Sequence, residues 1–313
     1  MPVVSVIIPT YKHRDFVRAT LDSVFAQTFT DYEVIVVNDG SPDDTAEVLR
    51  PLAEAGQIRY IAQENQGQGA ARNRGLAEAR GEFIALLDDD DLWPPDKLEW
   101  QVAALIQNAD AGMVAGPADN MDAVTGLKLS RMPFWPEIKF EMLFEGNPIV
   151  SPGQTLVRTD LLRRLGGLNA QIWGADDWDL WFRIAKASRI IMEDRTALHY
   201  QIHPSNASGQ MKRMLDNACV VIETHLGDVD PKQRRRMELS AYQFQYGYLG
   251  RRVIDQMRDA LKARNLRLAS ASAVVLLTLG RVLIRDRASM LGLFRDLVPR
   301  SLRQRVSRLR GRS

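Results

Sequence analysis

Residues 3–40 read VVSVIIPTYKHRDFVRATLDSVFAQTFTDYEVIVVNDG, which is two strand patterns separated by a helix pattern. Val3–Ile8 is an apolar run that stops at Pro9, as expected of a buried parallel strand. His13–Gln27 repeats apolar residues at helical spacing along one face. Glu33–Val37 is a second run rich in β-branched residues. A strand, a helix and a second strand in this order predict two parallel strands in one sheet.

The alternation of strands and helices continues to about residue 110. The predicted elements are a helix that begins at the N-cap Ser41, a strand Ile58–Ala62, a helix Gly69–Arg80, a strand Phe83–Leu87, and a helix Pro94–Ala109 with Leu98, Val102, Leu105 and Ile106 facing inward. This spacing predicts an α/β fold with a doubly wound, mostly parallel sheet and helices on both faces. Later residues predict a strand Ser151–Val157, helices Leu161–Gly167 and Trp173–Ala187, and a mostly helical region from Met211. We therefore expect a sheet domain over residues 1–210 and a helical, basic extension over residues 211–313.

The net charge of the 313-residue chain is +2, but the charges are unevenly distributed. Residues 1–250 hold 25 basic and 35 acidic side chains, whereas residues 251–313 hold 16 and 4. Such asymmetry is typical of a tail that meets an anionic surface. From Ala288 onward, apolar residues at helical spacing among arginines favour an amphipathic helix on an anionic membrane surface. A helix packed on the rest of the protein and an oligomer contact are the alternatives, and the scarcity of stacking aromatic residues means that no nucleic acid is expected.

The cellular setting is expected to be cytoplasmic, with the basic tail as the means of peripheral attachment to the inner face of the cell membrane. The single cysteine, Cys219, excludes an internal disulfide framework. The N-terminal residues lack the basic region of a signal peptide and reach Pro9 early. Leu268–Ile284 approaches the hydrophobicity of a membrane span, but it is short and carries Arg281, so we interpret it as a buried or interfacial helix.

Polar residues follow each of the first four predicted strands. They are Thr10 and Tyr11, Asp39, Asn65, and Asp88–Asp91. In doubly wound sheets, ligands bind beyond the carboxyl ends of the strands. This position is the first indication of a binding site.

Asp88–Asp91 is four adjacent carboxylates directly after a buried strand. Crowded carboxylates repel one another, and a bound cation relieves that repulsion. Oxygen ligands suit Mg²⁺ or Mn²⁺, which complete their coordination with substrate phosphates. A solvated acidic turn before the next helix is the structural alternative.

Two further motifs carry charged side chains at predicted helix starts. Asn65–Asn73, with sequence NQGQGAARN, combines glycines that allow a phosphate to approach the backbone with the charge of Arg72, although close helix–sheet packing also explains its small residues. Asp176–Trp181, with sequence DDWDLW, is either a general base beside an aromatic wall or plain helix capping. The histidines His199 and His203 are each more often structural than functional when taken alone.

Five motifs in this order resemble the family 2 inverting glycosyltransferases of GT-A fold. They are VSVIIPTYK, VNDGSPDDT, NQGQGAARNRG, ALLDDDDLW and GADDWDLWFRIA, and the resemblance covers residues 3–210. It implies a donor site formed by Pro9, Thr10, Tyr11, Asp39, Asn65, Arg72, Asp88 and Asp89. Within that set, Thr10 and Tyr11 would line the nucleobase and ribose, Asp39 would bind the base, and Arg72 the base or diphosphate.

The resemblance also implies the metal and the base. Asp88 and Asp90 match the family's D-x-D pattern, with Asp90 the direct ligand of Mn²⁺ or Mg²⁺ and His203 beside the metal or diphosphate. Asp177 matches the second acid of the family's Glu-Asp motif, the catalytic base, and Asp176 replaces the usual glutamate.

The function expected from the sequence is therefore a metal-dependent, inverting transfer of a sugar. The donor would be a nucleotide-diphospho-sugar, most often a UDP-sugar, and the acceptor a hydroxyl of a glycan or lipid-linked sugar in cell-surface polysaccharide or glycolipid assembly. A nucleotidyltransferase is a second enzymatic interpretation, but it would carry a glycine-rich loop after the first strand, where Pro9–Lys12 stands. A nucleotide-sugar-binding or membrane-recruitment module without turnover is the non-enzymatic alternative.

Overall fold

The computed structural model describes residues 1–203 and 211–266, together with residues 270, 272–274, 276, 277 and 280. The predicted amphipathic tail from Ala288 lies outside the described residues, as does most of Leu268–Ile284.

Eleven strands and ten α-helices are assigned over these residues. The strands are β1 (Val4–Thr10), β2 (Tyr32–Asn38), β3 (Arg59–Ala62), β4 (Phe83–Leu86), β5 (Ala111–Ala115), β6 (Ala118–Asp122), β7 (Lys128–Arg131), β8 (Glu137–Ile138), β9 (Thr155–Arg158), β10 (Arg189–Met192) and β11 (Leu198–Ile202). The helices are α1 (Val17–Phe25), α2 (Thr45–Glu54), α3 (Gln68–Glu78), α4 (Lys97–Gln107), α5 (Met142–Glu145), α6 (Thr159–Arg164), α7 (Asp176–Ala187), α8 (Met211–Leu226), α9 (Pro231–Gln245) and α10 (Arg251–Lys262).

The main sheet has eight strands in the order β3-β2-β1-β4-β9-β5-β10-β8. The first four are mutually parallel, β9 runs antiparallel to both of its neighbours, and β8 runs antiparallel to β10. A second sheet has the order β11-β6-β7. The mostly parallel sheet confirms the predicted fold class.

Helices cover both faces of the main sheet, as predicted. Val6 and Ile8 of β1 belong to the same buried cluster as Leu21 of α1. Ile7 points to the opposite face, where Gly75 of α3 approaches so closely that a Cβ on this glycine would lie 2.3 Å from Ile7 Cγ2. Close packing of helix on sheet therefore explains this glycine.

Strand β1 continues through Pro9 to Thr10, beyond the predicted stop. Thr10 O accepts a hydrogen bond from Asp39 N on the β2 side, and pairing with β4 ends at Ile7. The backbone groups of successive residues in a parallel strand hydrogen-bond alternately to the strand on one side and the strand on the other. Pro9 therefore faces the β4 side, where the pairing has already ended. Its missing N–H therefore removes no ladder hydrogen bond.

Two predictions about helices are wrong. Helix α2 begins at Thr45, and Ser41 is no N-cap, because its N–H donates to Asn38 Oδ1 and its hydroxyl accepts from Lys12 N. Ile106 of α4 is 65% exposed, whereas Leu105 is buried. Successive residues are about 100° apart around a helix, so the buried face of α4 ends between these two.

The segment after residue 150 also differs in detail from the prediction. A 3₁₀ turn at Pro152–Gln154, capped by Ser151, precedes β9, which begins only at Thr155.

The chain divides into two compact units. One comprises Met1–Leu143 and the segment that begins at Asn147; the other comprises Phe144–Gly146 and the helices from Met211. In the second unit, Val221 and Ile222 of α8 are fully buried, whereas Arg234–Arg236 of α9 are exposed. Among the described helices, none has both the length and the apolar character that crossing a membrane requires.

Candidate active site

The carboxyl ends of β1, β2, β3 and β4 bring their polar residues to one edge of the sheet. The acidic loop Asp88–Asp91 follows β4 at this edge, and His13 lies between β1 and α1. His13 Nδ1 lies 2.7 Å from Asp89 Oδ1. This hydrogen bond is the main reason that the pKa of His13 rises to about 9, against the opposing effect of burial. His13 is therefore paired with Asp89 at the acidic loop.

A second histidine pairs with the next carboxylate of the loop. His203 Nε2 lies 3.1 Å from Asp90 Oδ2, and the His203 ring stacks on Phe16 at a centroid distance of 4.5 Å. The His13 ring contacts the same phenyl ring edge-on at 5.7 Å. Phe16 thus holds both imidazoles beside the acidic loop. His203 was predicted as a site residue from the sequence, whereas His13 was not, although it lies just after the first strand.

Asp91 fixes the acidic loop to the rest of the first unit. Its carboxylate accepts hydrogen bonds from Gln201 N at 3.0 Å and from the Ser151 hydroxyl at 3.2 Å. Its carbonyl accepts from the Thr20 hydroxyl at 2.9 Å. Burial, together with the charges of neighbouring acids, raises the pKa of Asp91 well above its usual range. Asp91 is thus an anchor, facing away from solvent.

Arg72 of α3 joins the acidic loop to the start of α7. Its Nη2 donates to Asp88 Oδ1, and its Nη1 donates to Asp176 Oδ2 at 2.7 Å. Asp176 Oδ1 accepts a third hydrogen bond from Gln68 Nε2 at 2.7 Å. Arg72 is 2% exposed and Asp176 is fully buried. One acid from each motif, Asp88 and Asp176, therefore contacts the same guanidinium, although the two acids are far apart in sequence.

Asp177 lies in the first turn of α7, next to Asp176, and is half-buried. Asp177 Oδ1 accepts a hydrogen bond from Trp178 N at 2.7 Å. Burial, and then the charge of Asp176, raises the pKa of Asp177 to about 8, whereas the charge of Arg72 lowers it. A carboxyl group with a pKa near neutrality is suited to take up a proton during a reaction.

Asp39 shapes the loop that leads into α3. Its Oδ1 accepts hydrogen bonds from Gln63 Nε2 and Gln66 N, and its Oδ2 accepts from Gly67 N, all within 2.9 Å. Gly40, with φ +72°, approaches Asn65 so closely that a Cβ would lie 2.9 Å from Asn65 N. The carboxylate expected to bind a nucleobase thus also orders residues 65–67, among them the candidate Asn65.

The residues after β1 leave an aromatic ring at the edge of the sheet. Tyr11 is 38% exposed, and Thr10 is buried. Lys12 has a left-handed backbone, with φ 62°, and its Nζ lies 5.0 Å from the centre of the Tyr11 ring. An exposed ring in this position can stack on a flat ligand.

The acidic loop fits a divalent cation. One ligand atom each of His13, Asp89 and Asp90 lies within 4.8 Å of the others. The pKa of Asp88 and of Asp89 is raised, first by burial and partly by the charge of Asp90. Carboxylate and imidazole donors together suit Mn²⁺, and the carboxylates suit Mg²⁺.

Residues 5–166, more than half of the chain, match the family model described as glycosyl transferase family 2. The chain therefore belongs to glycosyl transferase family 2.

Relatives and solved structures agree with this family. A Rickettsia felis protein named as an uncharacterized glycosyltransferase is 27% identical over 259 residues, which cover 78% of this chain and 41% of that relative. The chain thus spans less than half the length of that relative. Residues 1–349 of S. aureus TarS, solved in complex with UDP-GlcNAc, are similar with a TM-score of 0.65 and 18% identity, covering 90% of this chain and 83% of that one.

A second solved structure has the same fold with a different donor. The mannosyltransferase PcManGT from Pyrobaculum calidifontis, solved with GDP-Man and Mn²⁺, has a TM-score of 0.59 and 21% identity, covering 94% of this chain and 84% of that one. Identities this low show similarity of fold alone. The GT-A fold expected from the sequence is confirmed.

Proposed function

We propose that this protein transfers a sugar from a nucleotide-diphospho-sugar to an acceptor hydroxyl, with inversion at the anomeric carbon. The observation that carries the proposal is the Asp88–Arg72–Asp176 bridge, which brings the acidic loop beside the helix start that bears Asp177. The acids proposed to bind the donor and the acid proposed to accept the proton thus lie at one edge of the sheet. Glycosyl transfer needs both together.

The donor is proposed to lie along the strand ends. Its base stacks on Tyr11, with Pro9, Thr10, Asp39 and Asn65 around the base and ribose. A UDP-sugar is the first candidate, since the S. aureus neighbour was solved with UDP-GlcNAc.

The diphosphate is proposed to lie beside the acidic loop, where Asp88, Asp89, Asp90 and His203 would hold Mn²⁺ or Mg²⁺. When bound, the cation supplies positive charge that stabilises the leaving nucleoside diphosphate. His13, which the structure adds to this group, is a further candidate ligand.

Asp177 is proposed as the general base. The acceptor oxygen attacks the anomeric carbon from the face opposite the diphosphate, and its proton passes to the Asp177 carboxylate. The bond between the anomeric carbon and the phosphate oxygen breaks at the same time, and the nucleoside diphosphate leaves with that electron pair. One displacement inverts the anomeric configuration. The nearby positive charge of Arg72 lowers the pKa of Asp177 and so favours the ionised carboxylate that accepts the proton.

The acceptor is proposed to be a glycan or lipid-linked sugar in the assembly of cell-surface polysaccharide or glycolipid. The excess of basic residues in 251–313 supports a peripheral attachment to anionic membrane. Vesicles of phosphatidylglycerol should co-sediment the full chain in low salt and lose it when residues 286–313 are removed. Equal sedimentation of both forms would refute a tail anchor.

A thermal-shift panel tests the donor site. UDP, dTDP, GDP, CDP and their common sugars are added with Mn²⁺ or with EDTA. A nucleotide at about 100 times its Kd should add roughly 2.7 kcal/mol of stability. We expect one nucleotide to raise the Tm only with the cation, and transfer to stop in EDTA and resume with Mn²⁺ or Mg²⁺. No shift with any nucleotide would contradict the donor site, and full transfer in EDTA would contradict the cation.

A further inference from the structure

Arg72 has its charged end enclosed by protein groups. Its two Nη atoms are directed to different carboxylates, Asp88 on one side and Asp176 on the other. The Arg72 side chain is only 2% exposed, so little of its guanidinium is open to solvent. Arg72 is therefore engaged by the protein on both sides before any donor binds.

We infer that Arg72 is a positioning residue, which acts on transfer by holding Asp176, and through it Asp177, and makes no contact with the donor. The inference rests on the proposed function. It replaces the sequence expectation that Arg72 contacts the base or diphosphate.

The geometry requires an arginine at this position. A guanidinium is a planar fork that donates to two carboxylates at once, whereas a lysine ammonium is a single point charge. The helix that carries Arg72 also approaches the segment before α7 closely, since a Cβ on Gly69 would lie 3.1 Å from Ala170 Cα and 3.5 Å from Asp176 Oδ2. Gln68 completes the contact by donating to the second oxygen of Asp176. The side chains on this face of α3 thus fix the position of Asp176, and with it that of its neighbour Asp177.

The rest of the acidic loop has supports of its own. Asp89 pairs with His13, Asp90 pairs with His203, and Asp91 is anchored by backbone and side-chain donors. Loss of Arg72 should therefore leave nucleotide binding nearly intact while it displaces Asp177 from the acceptor. A displacement of about 1 Å at a reacting group costs on the order of 10²-fold in rate.

The test compares R72K and R72Q with R74Q. Arg74 lies on the same helix, is more than half exposed and pairs with Glu78, so it is a matched control. For each variant, kcat and the donor KM are measured by transfer assay, and the Kd of UDP with Mn²⁺ by calorimetry. We expect R72K and R72Q to lower kcat about 10²-fold or more, with the Kd of UDP within about threefold of wild type. R74Q should behave as wild type.

Two results would overturn the inference. One is a Kd of UDP weakened more than about tenfold with kcat at saturating donor unchanged, which would make Arg72 a donor ligand. The other is R72K with kcat close to wild type, because a point charge would then suffice. If R72Q fails to fold, R72K and D176N still test the inference. R72K keeps the positive charge at position 72, and D176N keeps the shape of the side chain at position 176.

The double variant R72K/D176N gives a second measurement. If both residues act through the same bridge, its kcat should equal that of the worse single variant. Losses that multiply would contradict a common route. If the wild type transfers the sugar and D177N does not, the proposed function is supported whatever the Arg72 variants show. The proposed function and the inference about Arg72 can therefore fail separately.

Discussion

The buried basic side chains of Arg72 and Lys97 meet different surroundings. Arg72, at the carboxyl edge of the sheet, is bridged by two carboxylates. Lys97, the first residue of α4, is also fully buried, but its Nζ donates to the carbonyl of Thr155 at 3.1 Å and lies 3.9 Å from the centre of the Trp93 ring. One region therefore compensates a buried charge with opposite charge, and the other offers a neutral acceptor and an aromatic face.

The consequence appears in the protonation of the two side chains. Burial holds the pKa of Lys97 well below its usual range, so the core favours the neutral amine. At the carboxyl edge of the sheet Arg72 stays charged, because the neighbouring carboxylates offset the free-energy cost of burying its charge. Of these two sites, the edge of the sheet is the one that keeps its buried charge, and the proposed donor and base lie there.

The largest expected effect tests whether Asp177 is the base at that edge. D177N should lower kcat by about 10²–10⁴-fold, because the amide cannot accept the acceptor's proton. Donor affinity should stay intact. The matched control is D160N, the same change at an exposed acid on α6. A loss of less than tenfold in D177N would remove Asp177 from this role.

The second prediction concerns the dependence of transfer on pH at the carboxyl edge of the sheet. The base must be ionised, and its pKa in the free protein is raised to about 8. We expect log(kcat/KM) for transfer to rise by about one unit per pH unit below that value and then to level off. D177N should lose this rise. A wild-type profile that is flat between pH 6 and 8 would contradict a protonated Asp177 in the free protein.

The smallest expected effect tests the core. Unfolded Lys97 binds a proton near its ordinary pKa of 10.5, and folding releases it, so wild-type stability should fall as pH falls from 10.5 toward the lowered folded pKa. K97M carries no such proton. Between pH 10 and 8, the stability of wild type relative to K97M should drop by about 1.4 kcal/mol per pH unit, as measured by denaturant unfolding. A constant difference would mean that Lys97 stays charged in the core.

The fold could be predicted from the sequence because periodicity is local. The strand–helix alternation from Val3 to Ala109 gave the parallel sheet, and the ends of its strands gave the edge where the acids meet. The start of α2 could not be predicted, since long-range contacts of Ser41 decide it. The antiparallel insertion of β9 between β4 and β5 likewise depends on distant partners.

The residues of the candidate site could be predicted from the sequence, but the contacts between their side chains could not. The sequence places Arg72, Asp88 and Asp176 at strand and helix ends, yet nothing local shows that one guanidinium bridges acids 16 and 104 residues away. The pairing of His13 with Asp89 spans 76 residues and was missed for the same reason. Side-chain partners of this kind are fixed by the packing of whole elements.

The residues at the carboxyl edge of the sheet are proposed to catalyse a single displacement at the anomeric carbon, with Asp177 as the general base. Once the thermal-shift panel has selected a nucleotide-sugar, ¹H NMR of the transfer reaction, recorded from its first minutes, reads the configuration of the new glycosidic bond from the anomeric proton coupling. We expect a product of inverted configuration, formed by the wild type and lost in D177N. A product that retains the donor's configuration would contradict the single displacement.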